Sequence, residues 1–232
     1  MDNKNYGLWG GVTLGVIVIV LGLMWFVGST PIAVPGGNIV PPVVTEADWQ
    51  TGNSTMPVTI VEYSDFQCPA CRAYYSVLKR LEAEYASSTN FVYRHFPLAQ
   101  HLDAQLAAYA VEAAGTQGKF FEMHDILFEK QGEWGIDSSI LPTDPKELTA
   151  SMRTILETKL FGYAESLNLD MQKFKADMVS TEIHDKVTRA IADGKSLGIP
   201  ATPTFFLNGK QLANPNGYDE FKNLIDAALK KS

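Results

Sequence analysis

Cys68-Pro69-Ala70-Cys71 contains the only two cysteines in a chain of 232 residues. A bridge across so short a gap removes little entropy from an unfolded chain, so the pair is a poor structural staple. It reads instead as a working dithiol, in which one thiol attacks and the other resolves. The residues before it, Met56 to Tyr63, form a β-branched run suited to a buried strand, followed by a polar turn at Ser64-Asp65. Pro69 then falls in the first turn of a helix, where a missing N–H is tolerated. Cys71, Tyr74, Leu78, Leu81 and Tyr85 recur at helical spacing, which places Cys71 on the buried face. Cys68 is expected at an exposed helix tip. There the unpaired backbone N–H groups and the positive end of the helix dipole favour thiolate over thiol.

Other side chains with chemical potential have to be weighed against structural roles. A C-x-x-C pair can be half of a zinc site, but structural zinc usually takes four ligands and no second cysteine pair exists. His95 and His101 could complete a site only if the fold brought them close. Glu62 lies among apolar neighbours just before the dithiol, which suits proton transfer, although an edge-strand carboxylate facing water is the alternative. His124 fits a hydrogen-bonded core position and His184 a solvated one. Phe120, Phe121 and Phe128 are core at helical spacing. Trp134 sits in a loop expected over Gln131 to Thr143, where it either packs or borders a substrate groove.

The elements that must position these residues follow from hydrophobic period. After a helix ending near Tyr85, Asn90 to Phe96 reads as a second strand closed by Pro97. Strand, helix and strand suggest a βαβ crossover. From about His101 to Leu197 the pattern is helical. Apolar faces are expected at Leu102, Leu106, Tyr109 and Ala113; at Phe120, Met123, Leu127 and Phe128; at Leu148, Met152, Ile155, Leu156 and Leu160; and at Ile183, Val187, Ala190 and Ile191. Thr204 to Leu207 and Lys210 to Leu212 flank Asn208-Gly209, a strong hairpin signal. A last amphipathic helix runs from Tyr218 to Lys230. The order βαβ, helical insertion, ββα belongs to the α/β class, a sheet covered by helices.

Composition bounds the rest. With 46% hydrophobic residues, 19% charged residues and a net charge of −7, the chain has the makeup of a folded protein and no basic run for nucleic acid. Leu8 to Val27 carries no charge. Twenty helical residues span about 30 Å, the thickness of a bilayer core, and Trp9 and Trp25 lie near its two ends. Residues 1–27 are therefore read as a segment with a single transmembrane anchor, its N-terminus cytoplasmic, in preference to a cleaved signal, for which Pro31-Ile32-Ala33 is a poor cleavage site. Residues 28–44, rich in Pro and Gly, read as a tether, and residues 45–232 as one domain.

Three segments in combination resemble the DsbA-like thiol-disulfide oxidoreductases, a branch of the thioredoxin superfamily in which a helical subdomain interrupts the fold. They are Val58 through Cys71, Arg94-His95-Phe96-Pro97-Leu98, and Gly198-Ile199-Pro200-Ala201-Thr202-Pro203-Thr204-Phe205-Phe206-Leu207-Asn208-Gly209. The resemblance spans Asp48 to Lys231. It implies a thioredoxin-like α/β fold with a helical insertion over about 98–197, here preceded by the single N-terminal transmembrane helix. It further implies that Cys68 is the nucleophile and Cys71 the resolving thiol, with Pro69 and Ala70 between them. Thr202-Pro203 would be a substrate-binding loop with a cis peptide bond facing the disulfide, and Glu62 a buried acid beneath the resolving cysteine.

Two features depart from the strongly oxidising members. Ala70 stands where those members have histidine, so weaker thiolate stabilisation is expected, and threonine precedes the loop proline, as it also does in disulfide isomerases. The activity implied is introduction of disulfides into exported proteins on the outer side of a bacterial-type membrane. The partners implied are exported protein thiols and a quinone-linked membrane reoxidant of the DsbB or vitamin-K-epoxide-reductase-like kind, with no organic cofactor and no resident metal. A reductase or isomerase is the alternative within this chemistry, and an anchored metallochaperone or binding protein the alternative outside it. Because the helix faces from Thr45 onward can bury one another, a chain begun at Thr45 is expected to stay soluble and unfold in one cooperative urea transition. Insolubility or a transition without cooperativity would refute a separable anchor and tether.

Overall fold

The computed structural model describes residues 43–134 and 145–231, so the apolar segment, nearly all of the tether and residues 135–144 lie outside it. Among the described residues no helix is long and apolar enough to cross a membrane. Strands β1 (Trp49–Gln50), β2 (Val58–Ser64), β3 (Thr89–His95), β4 (Thr204–Leu207) and β5 (Lys210–Gln211) form one sheet in the order β1-β3-β2-β4-β5. β2 and β3 run parallel, Val58 opposite Thr89 and Ser64 opposite His95, joined through helix α1 (Pro69–Glu84). β4 lies antiparallel on the other side of β2, with Glu62 opposite Phe205. Six of the seven β2 residues are buried, because helices cover both faces and a period of two has no exposed side to mark. Asn208 and Gly209 both take positive φ, 46° and 79°, which the tight turn from β4 to β5 requires.

Between β3 and β4 come α2 (Ala104–Gly115), α3 (Phe120–Glu129), α4 (Gln131–Trp134), α5 (Pro145–Ser166), α6 (Met171–Met178) and α7 (Thr181–Ser196); α8 (Gly217–Leu229) closes the chain. One sheet face packs on α1 and α8 through Ile60, Leu78, Leu81, Phe205, Phe221 and Ile225. Each of these buried side chains contributes roughly 1.5–3 kcal/mol. Another core joins the sheet to the insertion through Phe66, Tyr93, Val111, Phe120, Leu127, Phe128 and Trp134, and includes both cysteines.

The insertion corrects two expectations. In α2 the buried side is Ala104, Ala107, Ala108, Ala110, Val111, Ala114 and, as expected, Ala113, whereas Leu102 is 73% exposed and Leu106 and Tyr109 are only half-buried. In a helix that is apolar nearly all round, the larger side chains do not mark the core, because small alanines let neighbouring helices approach. Trp134, expected in a loop, forms a turn of helix and is fully buried, its indole donating to the Leu127 carbonyl at 2.7 Å. Of its two expected roles, packing is the one it takes. The side chains of Leu148, Met152 and Ile155 fall outside the described set; Leu156 and Leu160 are buried as expected.

Strand β1, too short to be legible in the sequence, is held by charge at its far end. The buried Glu112 carboxylate accepts the Trp49 indole at 2.8 Å and His95 Nε2 at 3.1 Å, and Lys186 Nζ lies 2.7 Å from its other oxygen. The His95 and Lys186 partners outweigh burial and hold the Glu112 pKa below the usual carboxylate value. Four elements, β1, β3, α2 and α7, thus converge on one side chain. Glu112→Leu should strand three donors and cost about 3–5 kcal/mol in urea unfolding, and a loss under one would show the hub to be dispensable.

Candidate active site

The loop between β2 and α1 is built around Asp65, which the sequence marks only as a turn residue. Its carboxylate is fully buried and accepts Gln67 N at 2.7 Å, Leu98 N at 2.8 Å and His101 Nδ1 at 2.7 Å. Its carbonyl accepts Cys68 N at 3.1 Å, which sets Cys68 as the N-cap residue of α1 with extended backbone, φ −72° and ψ 121°. Gln67 is clamped in turn by Asp103, accepting its backbone N–H at 2.9 Å and donating to its carboxylate at 3.1 Å. His101 and Asp103, at the start of the insertion, therefore fix the loop that carries the cysteine.

Cys68 is not the exposed tip expected from the helix pattern. It is 6% exposed, while Pro69 and Ala70 face solvent. The side chain turns beneath the Thr202-Pro203 loop, and its thiol donates to the Thr202 carbonyl at 3.4 Å. That Thr202–Pro203 bond is cis. The Cys68 pKa is pushed down to about 5, first by the Cys71 thiol and against the cost of burial, with help from Thr202 and from the backbone N–H groups of Cys71 and Ala70. The Thr202 hydroxyl is buried with no partner of its own, and so is free to donate once Cys68 ionises. Acidity thus comes without an imidazole at position 70. Cys71 is fully buried, and burial drives its pKa far above the ordinary thiol range.

Glu62 is buried on β2 between Tyr93 and Phe205, on the residue rows that flank the dithiol helix. It does not face water at a sheet edge, because β2 is central. Burial raises its carboxyl from 4.5 to about 8, with smaller contributions from Glu82 and Cys68. Its charge in turn helps to raise Cys71. The Ser64 hydroxyl lies near enough to influence Glu62, Cys71 and Tyr93 yet closes a full-geometry hydrogen bond with none of them. A crevice lined by Glu62, Tyr93, Lys79, Glu82 and His124 is wide enough for a water molecule.

The Thioredoxin family model matches residues 45–227. The chain belongs to the thioredoxin family. Among solved structures it is similar to oxidised BdbD from Bacillus subtilis, with 23% identity and a TM-score of 0.65 over 82% of this chain and 97% of that one. It is likewise similar to alpha-DsbA1 from Wolbachia pipientis, with 21% identity and a TM-score of 0.65 over 82% and 94%. The shared fold is the DsbA-like form of thioredoxin. Similar curated proteins are the Na(+)/H(+) antiporter NhaA 1 of Salinispora arenicola, 34% identical over 75% of this chain and 24% of that protein, and NhaA of Herminiimonas arsenicoxydans, 33% identical over 74% and 24%. The chain spans about a quarter of the length of these curated relatives.

In this thioredoxin-family chain the histidines fall to structural roles. His95 binds Glu112 and His101 binds Asp65. His124 is buried, bonded to Asp125 and held below its usual pKa by burial. His184 is half-buried rather than fully solvated, stacked on Tyr109 at 4.0 Å and bonded to the Met178 carbonyl. Among the described residues no three His, Cys, Asp or Glu side chains group as metal ligands.

The raised Glu62 has a thermodynamic signature. Between pH 4.5 and about 8 the folded state keeps a proton that the unfolded chain has released, so this group disfavours folding increasingly as pH rises through that window. In the disulfide form, where neither thiol titrates, Glu62→Gln should match the wild type near pH 4 and exceed it by a few kcal/mol above pH 8. A stability difference that does not change with pH would mean that Glu62 ionises normally.

Proposed function

We propose that this chain is a membrane-anchored, extracytoplasmic thiol-disulfide oxidoreductase that introduces disulfides into exported proteins. The observation that carries this reading is the opposed acidity of the two thiols, Cys68 down to about 5 and Cys71 driven up, under a cis-proline loop. A substrate thiolate attacks the Cys68 sulfur of the disulfide. The Cys68–Cys71 bond breaks, and Cys71 leaves with the electron pair and takes a proton. Glu62, still protonated at neutral pH, is the group placed to supply it, and the water-sized crevice toward Lys79 and Glu82 offers the route by which Glu62 is reprotonated. A second substrate thiolate then attacks the substrate sulfur of the mixed disulfide and expels Cys68, which is a good leaving group because its thiolate is stabilised. Two electrons pass from substrate to enzyme.

The same acidity supports the oxidising direction, because stabilising the reduced form makes the disulfide the stronger oxidant. Substrate docks in extended form beside Thr202-Pro203, in the manner of strand augmentation. The uncharged stretch Leu8 to Val27 supports an anchor, and the relatives named as antiporters, of which the matched region is only about a quarter, support a membrane setting for such a domain. A quinone-linked DsbB-like or vitamin-K-epoxide-reductase-like protein is the reoxidant that a tethered enzyme reaches by lateral diffusion. No organic cofactor enters the cycle.

Cys71→Ala should accumulate stable mixed disulfides through Cys68 in cells, and Cys68→Ala none, as read by non-reducing gels and mass spectrometry. Adducts on Cys71, equal trapping by both variants, or no adducts at all would overturn these roles. In the reverse direction, where Cys68 of the reduced enzyme attacks a substrate disulfide and Cys71 then releases the adduct, the Glu62 carboxylate that ionises near pH 8 accepts the Cys71 proton, so at pH 8 Glu62→Gln should slow that release by about 10²-fold while leaving attack by Cys68 nearly unchanged. Oxidation of a model dithiol peptide faster than reduction of insulin would support the direction, and the reverse ranking would make the protein a reductase.

A further inference from the structure

The loop that carries the nucleophile is gripped by a residue more than sixty positions away in the chain. Gln131, the buried first residue of α4, donates through Nε2 to the Phe66 carbonyl at 2.7 Å and to the Cys68 carbonyl at 3.0 Å. Two carbonyl oxygens can be faced only by the NH₂ end of an amide, so the orientation of this side chain is fixed by its partners. The Cys68 carbonyl also accepts Arg72 N at 3.2 Å, the first bond of the α1 ladder. Gln131 is itself held in place by Trp134, whose indole and backbone N–H bond the Leu127 and Lys130 carbonyls and whose ring is fully buried in the core that contains Cys68 and Cys71.

We propose that Gln131 is a positioning residue for the Cys68 thiolate, acting through the carbonyls of Phe66 and Cys68. Two effects follow from the geometry. One amide that bridges carbonyls two residues apart fixes the backbone of Gln67 and Cys68, and hence the direction in which the Cys68 side chain leaves the chain. The same N–H pair offsets the negative ends of two buried carbonyl dipoles beside a sulfur that must carry charge, and in a low-dielectric interior such dipoles act strongly. Asp103 grips the intervening Gln67 from a different part of the insertion, so the loop is held on both sides. The proposal rests on Cys68 being the attacking thiol.

The test uses the full chain and the variants Gln131→Met, which keeps length but loses the donors, and Gln131→Asn, which draws the amide back by one methylene. Cys68 ionisation is followed by thiolate ultraviolet absorbance against pH and by alkylation rate. The expected result is a Cys68 titration displaced upward by about one pH unit in Gln131→Met, with alkylation near pH 4 about tenfold slower. Gln131→Asn should show a smaller displacement of the same sign, and carries the test if Gln131→Met does not fold. Gly194→Ala, whose new methyl would meet the Phe96 ring at 2.5 Å, serves as a destabilised control that should titrate like wild type. Gln131 variants that lower the melting temperature but leave the Cys68 titration unchanged would overturn the proposal. Thiol titration needs no substrate and no direction of electron flow, so failure of the trapping experiment and failure here are separate results.

Discussion

A cysteine that is 6% exposed and whose thiol is nonetheless pushed down to about 5 must replace the water it has lost with donors from the protein. Burial alone moves a thiol the other way, as Cys71 demonstrates three residues along the same helix. The difference between them is position. Cys68 precedes the first turn of α1, where the N–H groups of Ala70 and Cys71 are unclaimed, and the Cys71 thiol points at it; Cys71 is already inside the helix, on the packed face. The rest of the site works to keep that one geometry. Asp65 seats the loop, Gln67 ties it to the insertion, and the cis-proline loop closes over the sulfur.

Much of this architecture is legible from residue order. Val58 to Ser64, Thr89 to His95 and Thr204 to Leu207 are strands where β-branched and aromatic runs place them, and the Asn208-Gly209 turn follows from positive-φ chemistry. The site reads just as directly for the cysteines, because a proline after the first cysteine fixes where the helix starts. What escapes is tertiary in origin. β1 is two residues long and exists because Glu112 and β3 receive it. The buried side of α2 is written in alanines, which period analysis underweights against Leu102 and Leu106. Beyond the turn at Asp65, the roles of Asp65 and Gln131 carry no local signal, since their partners at residues 98, 101, 66 and 68 become neighbours only when the chain folds back on the loop. The expected exposure of Cys68 failed for the same reason: the covering loop arrives from residue 202.

The two titratable groups behind the dithiol are set apart by environment alone. The Cys68 charge helps to raise Glu62, and one group is pushed up to about 8 while the other is pushed down to about 5. The carboxyl is enclosed between strands, opposite Tyr93 and Phe205; the thiol sits at a helix start. At neutral pH the result is an acid holding its proton beside a thiolate that has lost its own. A protonated carboxyl adds no negative charge against the thiolate, and so the acidity of Cys68 and the protonation of Glu62 support each other.

This coupling explains why a helical insertion is useful to a thioredoxin sheet beyond covering its face. The junction between β2 and α1 is a short loop that the sheet itself holds through Phe66, stacked on Tyr93 of β3. From the insertion come His101, Asp103 and Gln131, each bonding the loop directly, while Trp134 and Glu112 hold the helices that present them. These are polar bonds made at buried and half-buried positions, where a mispositioned donor is costly. The insertion therefore adds rigidity at the residues on either side of the nucleophile, and leaves Pro69, Ala70 and the rim of the Thr202-Pro203 loop as the surface that a substrate meets.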